Sequence, residues 1–355
     1  MQTILDFNFE KLKEIILSLN EPSFRSKQLF EGLHSGKKLE EISNISKAFK
    51  EKLLSKYLDF PAEIYKKLES KDGTKKYVFK YLDGNIVEGV LMKYKYGYTL
   101  CVSTQVGCRM NCSFCASGLN GLIRNLSCGE ILAEVLLVNR DLGGSVKDRK
   151  ITNLVLMGSG EPLDNYAEVV NFLKIISSPE SLNISPRNIS LSTCGLIDKV
   201  DRLSKENLPI TLTISLHAPN GQIREKIMPV AKAYKYDELI KCAKRYFKNT
   251  GRRVVYEYAL IAGVNDSLKN AEELARNLKG DYSFHVNIIP LNEVKERGLK
   301  SSKNAYTFMN ALEKFGVSAT VRRTMGEDIE GACGQLRNKI LKDEYFILQK
   351  KYPLA

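Results

Sequence analysis

The chain has 355 residues, 43% hydrophobic and 27% charged, enough to bury a large core with a smaller appendage. A net charge of +13 and a pI of about 9.2 suit a polyanionic partner such as RNA, although a merely basic protein would show the same balance. The amino end lacks the basic head and apolar run of a signal peptide, and no stretch approaches the roughly 20 apolar residues of a membrane span. A cytoplasmic, non-membrane chain is therefore expected, and in that compartment eight cysteines point to metal or redox chemistry rather than to disulfides.

Residues 1 to about 72 read as a basic helical module, and the first 60 or so carry many Lys and Arg that either contact RNA or form a solvated face. Leu12, Ile15, Ile16 and Leu19 share one face of a helix over Phe9–Leu19. Ser23 is placed to cap a second helix through Leu33, and a third is expected from Ser46 to Tyr57. His34 has no evident partner and is expected at the surface. From residue 75 the period changes to two: Tyr77, Phe79 and Tyr81 alternate, Asp83-Gly84-Asn85 turns, and Ile86 to Met92 returns as a hairpin. Glu88 in the returning strand reads, on its own, as an exposed strand residue.

From residue 94 strand-like runs alternate with helical ones. The strands are Tyr98–Thr104, Ile151–Met157, Asn188–Thr193, Ile210–His217, Arg253–Ile261, Ser283–Pro290 and Ser318–Arg323, with helices such as Gly129–Arg140, Tyr166–Ile176, Tyr236–Lys248 and Leu268–Leu278 between them. That alternation predicts parallel strands with crossover helices, as an open sheet or a barrel.

Directly after the first of these strands stand Cys108, Cys112 and Cys115, spaced C-x3-C-x2-C. Three thiolates from one short loop indicate a metal site. An iron–sulfur cube takes four ligands, so three cysteines leave one iron open to a small molecule. A zinc site completed by a distant ligand remains the alternative. Parallel β/α proteins place their chemistry at the carboxyl ends of the strands. The unusual residues here obey that rule: Gly158-Ser159-Gly160-Glu161, Ser192, Ser215-Leu216-His217 and Asn292 all follow or end strands. Gly158 and Gly160 permit close backbone approach to a ligand, and Glu161 can bind an ammonium. Ser192, Ser215, His217 and Asn292 can hydrogen-bond a ribose or a carboxylate. Together they describe a pocket for a zwitterionic nucleoside beside the cysteine loop.

The segments Cys101–Cys115, Gly160-Glu161-Pro162-Leu163, Ser215-Leu216-His217-Ala218, His285–Pro290 and Gly326–Leu336 resemble those of the RlmN-type dual-specificity RNA methyltransferases, of the radical S-adenosylmethionine superfamily. The likeness covers nearly the whole chain. It implies a partial (β/α)6 barrel with a small helical domain in front: residues 1–72 an accessory RNA-binding domain, 73–93 a hairpin connector, 94–327 the radical core and 328–355 a C-terminal extension. The resemblance implies that Cys108, Cys112 and Cys115 hold a 4Fe–4S cluster. It places Gly160, Glu161, Ser192, Ser215, Leu216, His217 and Asn292 on S-adenosylmethionine. It further implies methylation of C2 of an adenosine in 23S rRNA, and in tRNA, by a monomer supplied by an outside electron donor. In that scheme Cys333 carries the methyl group, Glu88 removes the C2 proton, and Cys101 releases the product by forming a disulfide with Cys333. A Cfr-like C8 methyltransferase shares these cysteines and is the competing reading. The family commonly has Met where Ser159 stands and a smaller residue at Cys194. Cys128, Cys194 and Cys242 read as buried hydrophobes.

Overall fold

The computed structural model of the chain describes residues 2–336, so the last part of the expected C-terminal extension lies outside the described residues. Three helices open the chain: α1 (Phe9–Ser18), α2 (Phe24–His34) and α3 (Lys47–Leu54). Asn8 caps α1 by accepting from the Lys11 N–H, and Ser46 caps α3 by accepting from the Phe49 N–H. Ser23 does precede α2, but its side chain makes no capping bond, because its own backbone is already helical.

Four antiparallel strands follow: β1 (Ala62–Glu69), β2 (Lys75–Tyr81), β3 (Ile86–Tyr94) and β4 (Gly97–Val102). The expected hairpin is β2–β3. β1 departs from the helical reading of residues 1–72. It is a mostly exposed edge strand rich in Lys and Glu, which shows little apolar alternation and is protected from edge pairing by its charges. A small ladder of β5 (Gln105–Gly107) and β6 (Leu122–Asn125) then brackets the cysteine loop.

The remaining elements alternate: α4 (Cys128–Asp141), β7 (Ile151–Leu156), α5 (Tyr166–Ile176), β8 (Ile189–Thr193), α6 (Ile197–Leu203), β9 (Thr211–Ser215), α7 (Gly221–Ile227), α8 (Tyr236–Thr250), β10 (Val254–Leu260), α9 (Leu268–Leu278), β11 (Phe284–Pro290), α10 (Ala305–Lys314) and β12 (Ala319–Val321). One sheet runs β1-β2-β3-β4-β7-β8-β9-β10-β11-β12, and from β4 onward every pairing is parallel. This is the expected partial barrel of six β/α strands, with β12 as the additional strand beside β11. The strand order ends at β1 on one side and β12 on the other. The antiparallel strands thus extend the barrel wall, and β3 becomes part of the wall next to the cysteine loop. Among the described residues no helix is long and apolar enough to cross a membrane.

The amino-terminal helices share one apolar core with the barrel helices, through Leu12, Ile16, Leu29, Phe30, Phe49 and Leu53. Asp6 accepts from the Gly129 N–H at the start of α4 at 2.8 Å, and Arg140 near its end donates to the Gly36 carbonyl at 2.8 Å. His34 belongs to this contact and is not at the surface. It is buried, its ring stacks on Phe30 with centroids 3.8 Å apart, and its Nδ1 is hydrogen-bonded to Ser181 Oγ at 2.8 Å. The surface expectation failed because Ser181 is distant in sequence. Burial pushes the His34 pKa down to about 3. The folded chain therefore keeps His34 neutral where the unfolded chain protonates it, so its contribution is complete above about pH 6.5 and shrinks as pH falls towards 3. His34→Gln should reduce the slope of unfolding free energy against pH by about 1.4 kcal/mol per pH unit between pH 6 and 4, read by chemical denaturation. An unchanged slope would mean that this histidine is not buried neutral.

Candidate active site at the barrel mouth

The cysteine loop is shaped by its neighbours. Gly107 precedes it at φ +78°, where a Cβ would lie 2.1 Å from the Gly121 carbonyl oxygen, so only glycine fits. The Cys108 N–H donates to that same carbonyl at 2.9 Å, the Ser113 N–H to the Ile227 carbonyl at 2.9 Å, and the Ala116 N–H to the Gly334 carbonyl at 2.8 Å. Arg297 clamps the loop from outside, donating to the Cys115 carbonyl at 3.0 Å and to Asn111 Oδ1 at 2.9 Å. These bonds hold the three thiols along one wall of a cavity with about 890 Å³ of empty space, counting its open mouth.

Gly160, Glu161, Ser192, Ser215, His217, Asn292 and Cys333 share that cavity with Cys108, Cys112 and Cys115. Gly160 has φ +107°, and a Cβ there would meet Gln105 Cβ at 2.6 Å. The following Glu161 N–H donates to Gln105 Oε1 at 2.8 Å, which turns the carboxylate inward. Glu161 accepts from the Leu163 and Cys194 N–H groups at 3.0 and 2.7 Å. Burial pushes its pKa up against those bonds, and no salt bridge to it occurs among the described residues. Such a buried carboxylate favours an incoming ammonium. His217 adopts φ +54°, and its Nδ1 accepts from the Ala259 N–H at 2.9 Å. That bond assigns the ring proton to Nε2 as a donor, and burial pushes the pKa to about 3, keeping the ring neutral.

Leu216 and Asn292 are also engaged by the protein itself. Leu216 does not line the cavity. Its side chain is in the core, its N–H donates to the Glu257 carbonyl at 3.1 Å and its carbonyl accepts from Arg224 Nε at 3.3 Å. Asn292 does line it, while its Nδ2 donates to the Cys333 carbonyl at 3.0 Å and so anchors the methyl-carrier candidate. Glu257 is a site residue that the sequence reading omits. It is buried in the middle of β10, lines the cavity, and pairs with Arg322 Nη1 at 3.2 Å. A lone carboxylate in the middle of the otherwise apolar run Val254–Leu260 is the signal that could have found it.

Cys333 lines a second cavity as well, with Cys101, Val90, Met92, Met157 and Arg322. All cysteines are free. Burial pushes the Cys101 and Cys333 thiols up, and the Arg322 guanidinium opposes the shift at both. Glu88 is buried, against the surface expectation, because Ile86, Glu88, Val90 and Met92 share one face of β3 and Val90 pairs with Cys101. It lies 3.2 Å from Lys76 Nζ on β2, and Lys76 also donates to the Glu330 carbonyl at 3.3 Å. Glu88 borders a small separate pocket with Ala116 and Ser117, just behind the cysteine loop.

Among the described residues no three His, Cys, Asp or Glu side chains gather as tightly as a single ion requires. Three cavity-facing thiols from one loop, with space before them, suit a cluster whose fourth iron is left open to a small molecule. A half-open β/α barrel with such a loop at the strand ends, and a buried carboxylate awaiting a cation, defines a radical S-adenosylmethionine enzyme. Residues 102–276 match the family model of the radical SAM superfamily, and residues 2–57 that of the ribosomal RNA large subunit methyltransferase N-terminal domain. The chain is 47% identical over 348 residues to a probable dual-specificity RNA methyltransferase RlmN of Clostridium novyi, covering 97% of this chain and 100% of that one. It is 49% identical over 344 residues to the protein of that name from Alkaliphilus oremlandii, covering 96% and 98%. The crystal structure of a radical SAM methyltransferase from Sphaerobacter thermophilus superposes with a TM-score of 0.90 at 38% identity, over 95% of this chain and 99% of that one. The chain belongs to the RlmN family of radical SAM RNA methyltransferases, whose cofactors are a 4Fe–4S cluster and S-adenosylmethionine.

Proposed function

We propose that this enzyme methylates C2 of an adenosine in 23S rRNA, and of an adenosine in tRNA, with Cys333 as methyl carrier. The observation that carries the reading is that Cys333 stands between two cavities, one walled by Cys108, Cys112 and Cys115 and the other containing Cys101. A carrier thiol must meet its methyl source on one side and its resolving thiol on the other.

When bound, the cluster and S-adenosylmethionine supply the methyl group and the one-electron chemistry that activates it. Cys108, Cys112 and Cys115 hold the cluster. Glu161 receives the ammonium, and His217, Ser192 and Ser215 bond the polar groups of the cofactor. Cys333 links the methyl carbon to the base, and Glu88 accepts the C2 proton. The Cys101 thiolate attacks the Cys333 sulfur, so a disulfide forms as the carbon–sulfur bond breaks; the carbon leaves with the bonding electron pair and takes up a proton, which completes the methyl group. Outside thiols then reduce the pair. The target base must leave its stack to reach a barrel mouth. Lys and Arg of the first 60 residues supply phosphate contacts in this reading, as the accessory domain 1–72 in front of the core 94–327.

The test is anaerobic reconstitution of the full chain with rRNA and tRNA, followed by nucleoside mass spectrometry. 2-Methyladenosine in both is the expected product. 8-Methyladenosine as the sole product would overturn the C2 assignment.

A further inference from the structure

The face of β3 that carries Glu88, Val90 and Met92 continues to Tyr94, and beyond the strand end stands Tyr96. The two rings stack with centroids 5.0 Å apart and planes 6° from parallel. Tyr94 is half-buried and packs against the cluster of Val90, Met92, Cys101 and Leu336 that closes the Cys333 cavity. Tyr96 is 65% exposed and stacks on the outside of Tyr94, which itself packs against that cluster. Lys95, between the two tyrosines in the chain, is exposed, and Arg323, also exposed, lines the Cys333 cavity.

Stacking on Tyr94 uses only one face of the Tyr96 ring and leaves the residue largely exposed. It is held rigid here by the ring beneath it, so little entropy is lost when a third flat ring is added. Stacking accepts any base, while nearby cations attract the backbone. The strand rises about 3.3 Å per residue, which places Tyr94 about 13 Å from Val90 at the reacting cysteines. A base seated there belongs to a neighbour of the nucleotide in the cavity, not to that nucleotide.

We propose that Tyr96, backed by Tyr94, is a stacking platform for an unpaired base beside the methylated one, with Lys95 and Arg323 meeting the flanking phosphates. The platform holds the strand in a single-stranded form as the target base turns into the cavity. It rests on the reading of this barrel mouth as an RNA site, and its test is independent of methyl transfer.

The probe is fluorescently labelled single-stranded oligoadenylate, titrated by anisotropy onto the cluster-loaded full chain across a salt series. Tyr96→Ala should weaken binding about tenfold at every salt concentration, with the slope of log K against log salt unchanged. Tyr96→Phe keeps the ring and should bind within about twofold of the wild type. Lys95→Gln should make the slope shallower by about 0.7, the value of one lost phosphate contact on a single strand. Wild-type affinity in Tyr96→Ala would overturn the platform, as would equal losses in Tyr96→Phe and Tyr96→Ala, or no oligoadenylate binding by the wild type. Mass spectrometry of the product reports on methylation separately, so a failure of the C2 reading and a failure of the platform are told apart.

Discussion

Cys333→Ala should reduce RNA methylation to background, because no other side chain at the barrel mouth can stand in for the carrier sulfur. The variant keeps the cluster loop and Glu161, so reduced protein should still cleave S-adenosylmethionine to 5′-deoxyadenosine, now uncoupled from product. Cys101→Ala should fail differently. Cys101 and Cys333 border the same cavity, and without the Cys101 sulfur the bond between Cys333 and the transferred carbon has no resolving partner. An enzyme–RNA conjugate should accumulate, visible as a band of reduced mobility on a denaturing gel that is absent from the Cys101→Ala/Cys333→Ala double variant. Normal methylation by Cys333→Ala would exclude a methyl-carrying cysteine.

Lys76→Met should be the most damaging change away from the thiols. Lys76 and Glu88 are both buried, 3.2 Å apart, on adjacent strands. Removing one member of a buried ion pair typically costs about 3–5 kcal/mol, because the other charge keeps its desolvation penalty. The same ammonium bonds the Glu330 carbonyl, so the substitution also loosens the strap that carries Cys333. A lower melting temperature and a large fall in kcat are expected together. Adding Glu88→Gln should restore a substantial part of the stability while leaving the enzyme inactive, because the neutral amide relieves the buried charge but cannot take a proton. If Lys76→Met melts and turns over like the wild type, the ion pair contributes neither to the fold nor to the chemistry.

The contrast between Glu88 and Glu161 shows where sequence reasoning holds. Glu161 follows Gly160 at a strand end, and that position beside a glycine at positive φ is local, although the Gln105 side chain that receives its N–H is 56 positions away. Its place in the cavity is therefore legible from spacing. Glu88 reads as an exposed strand residue, because the face it shows is decided by β4 and by the strap over it, residues separated from it in the chain. His34 misleads for the same reason, since Ser181 is 147 positions away. Leu216 is placed at the cofactor only by the resemblance; its side chain is in the core, its N–H is bonded to the Glu257 carbonyl and its carbonyl to Arg224.

Short-range regularities were determined by the sequence alone: the three-cysteine loop, the two-residue and 3.6-residue periods, the glycines where no Cβ fits, and the gathering of polar residues at strand ends. These depend on covalent spacing and backbone sterics, which need no partner from elsewhere. Only the tertiary structure decided which distant groups meet: Cys333 between its two cavities, and Arg322 against Glu257. Those contacts are made when segments far apart in the chain become neighbours around the barrel, and burial there sets the charge each group can hold.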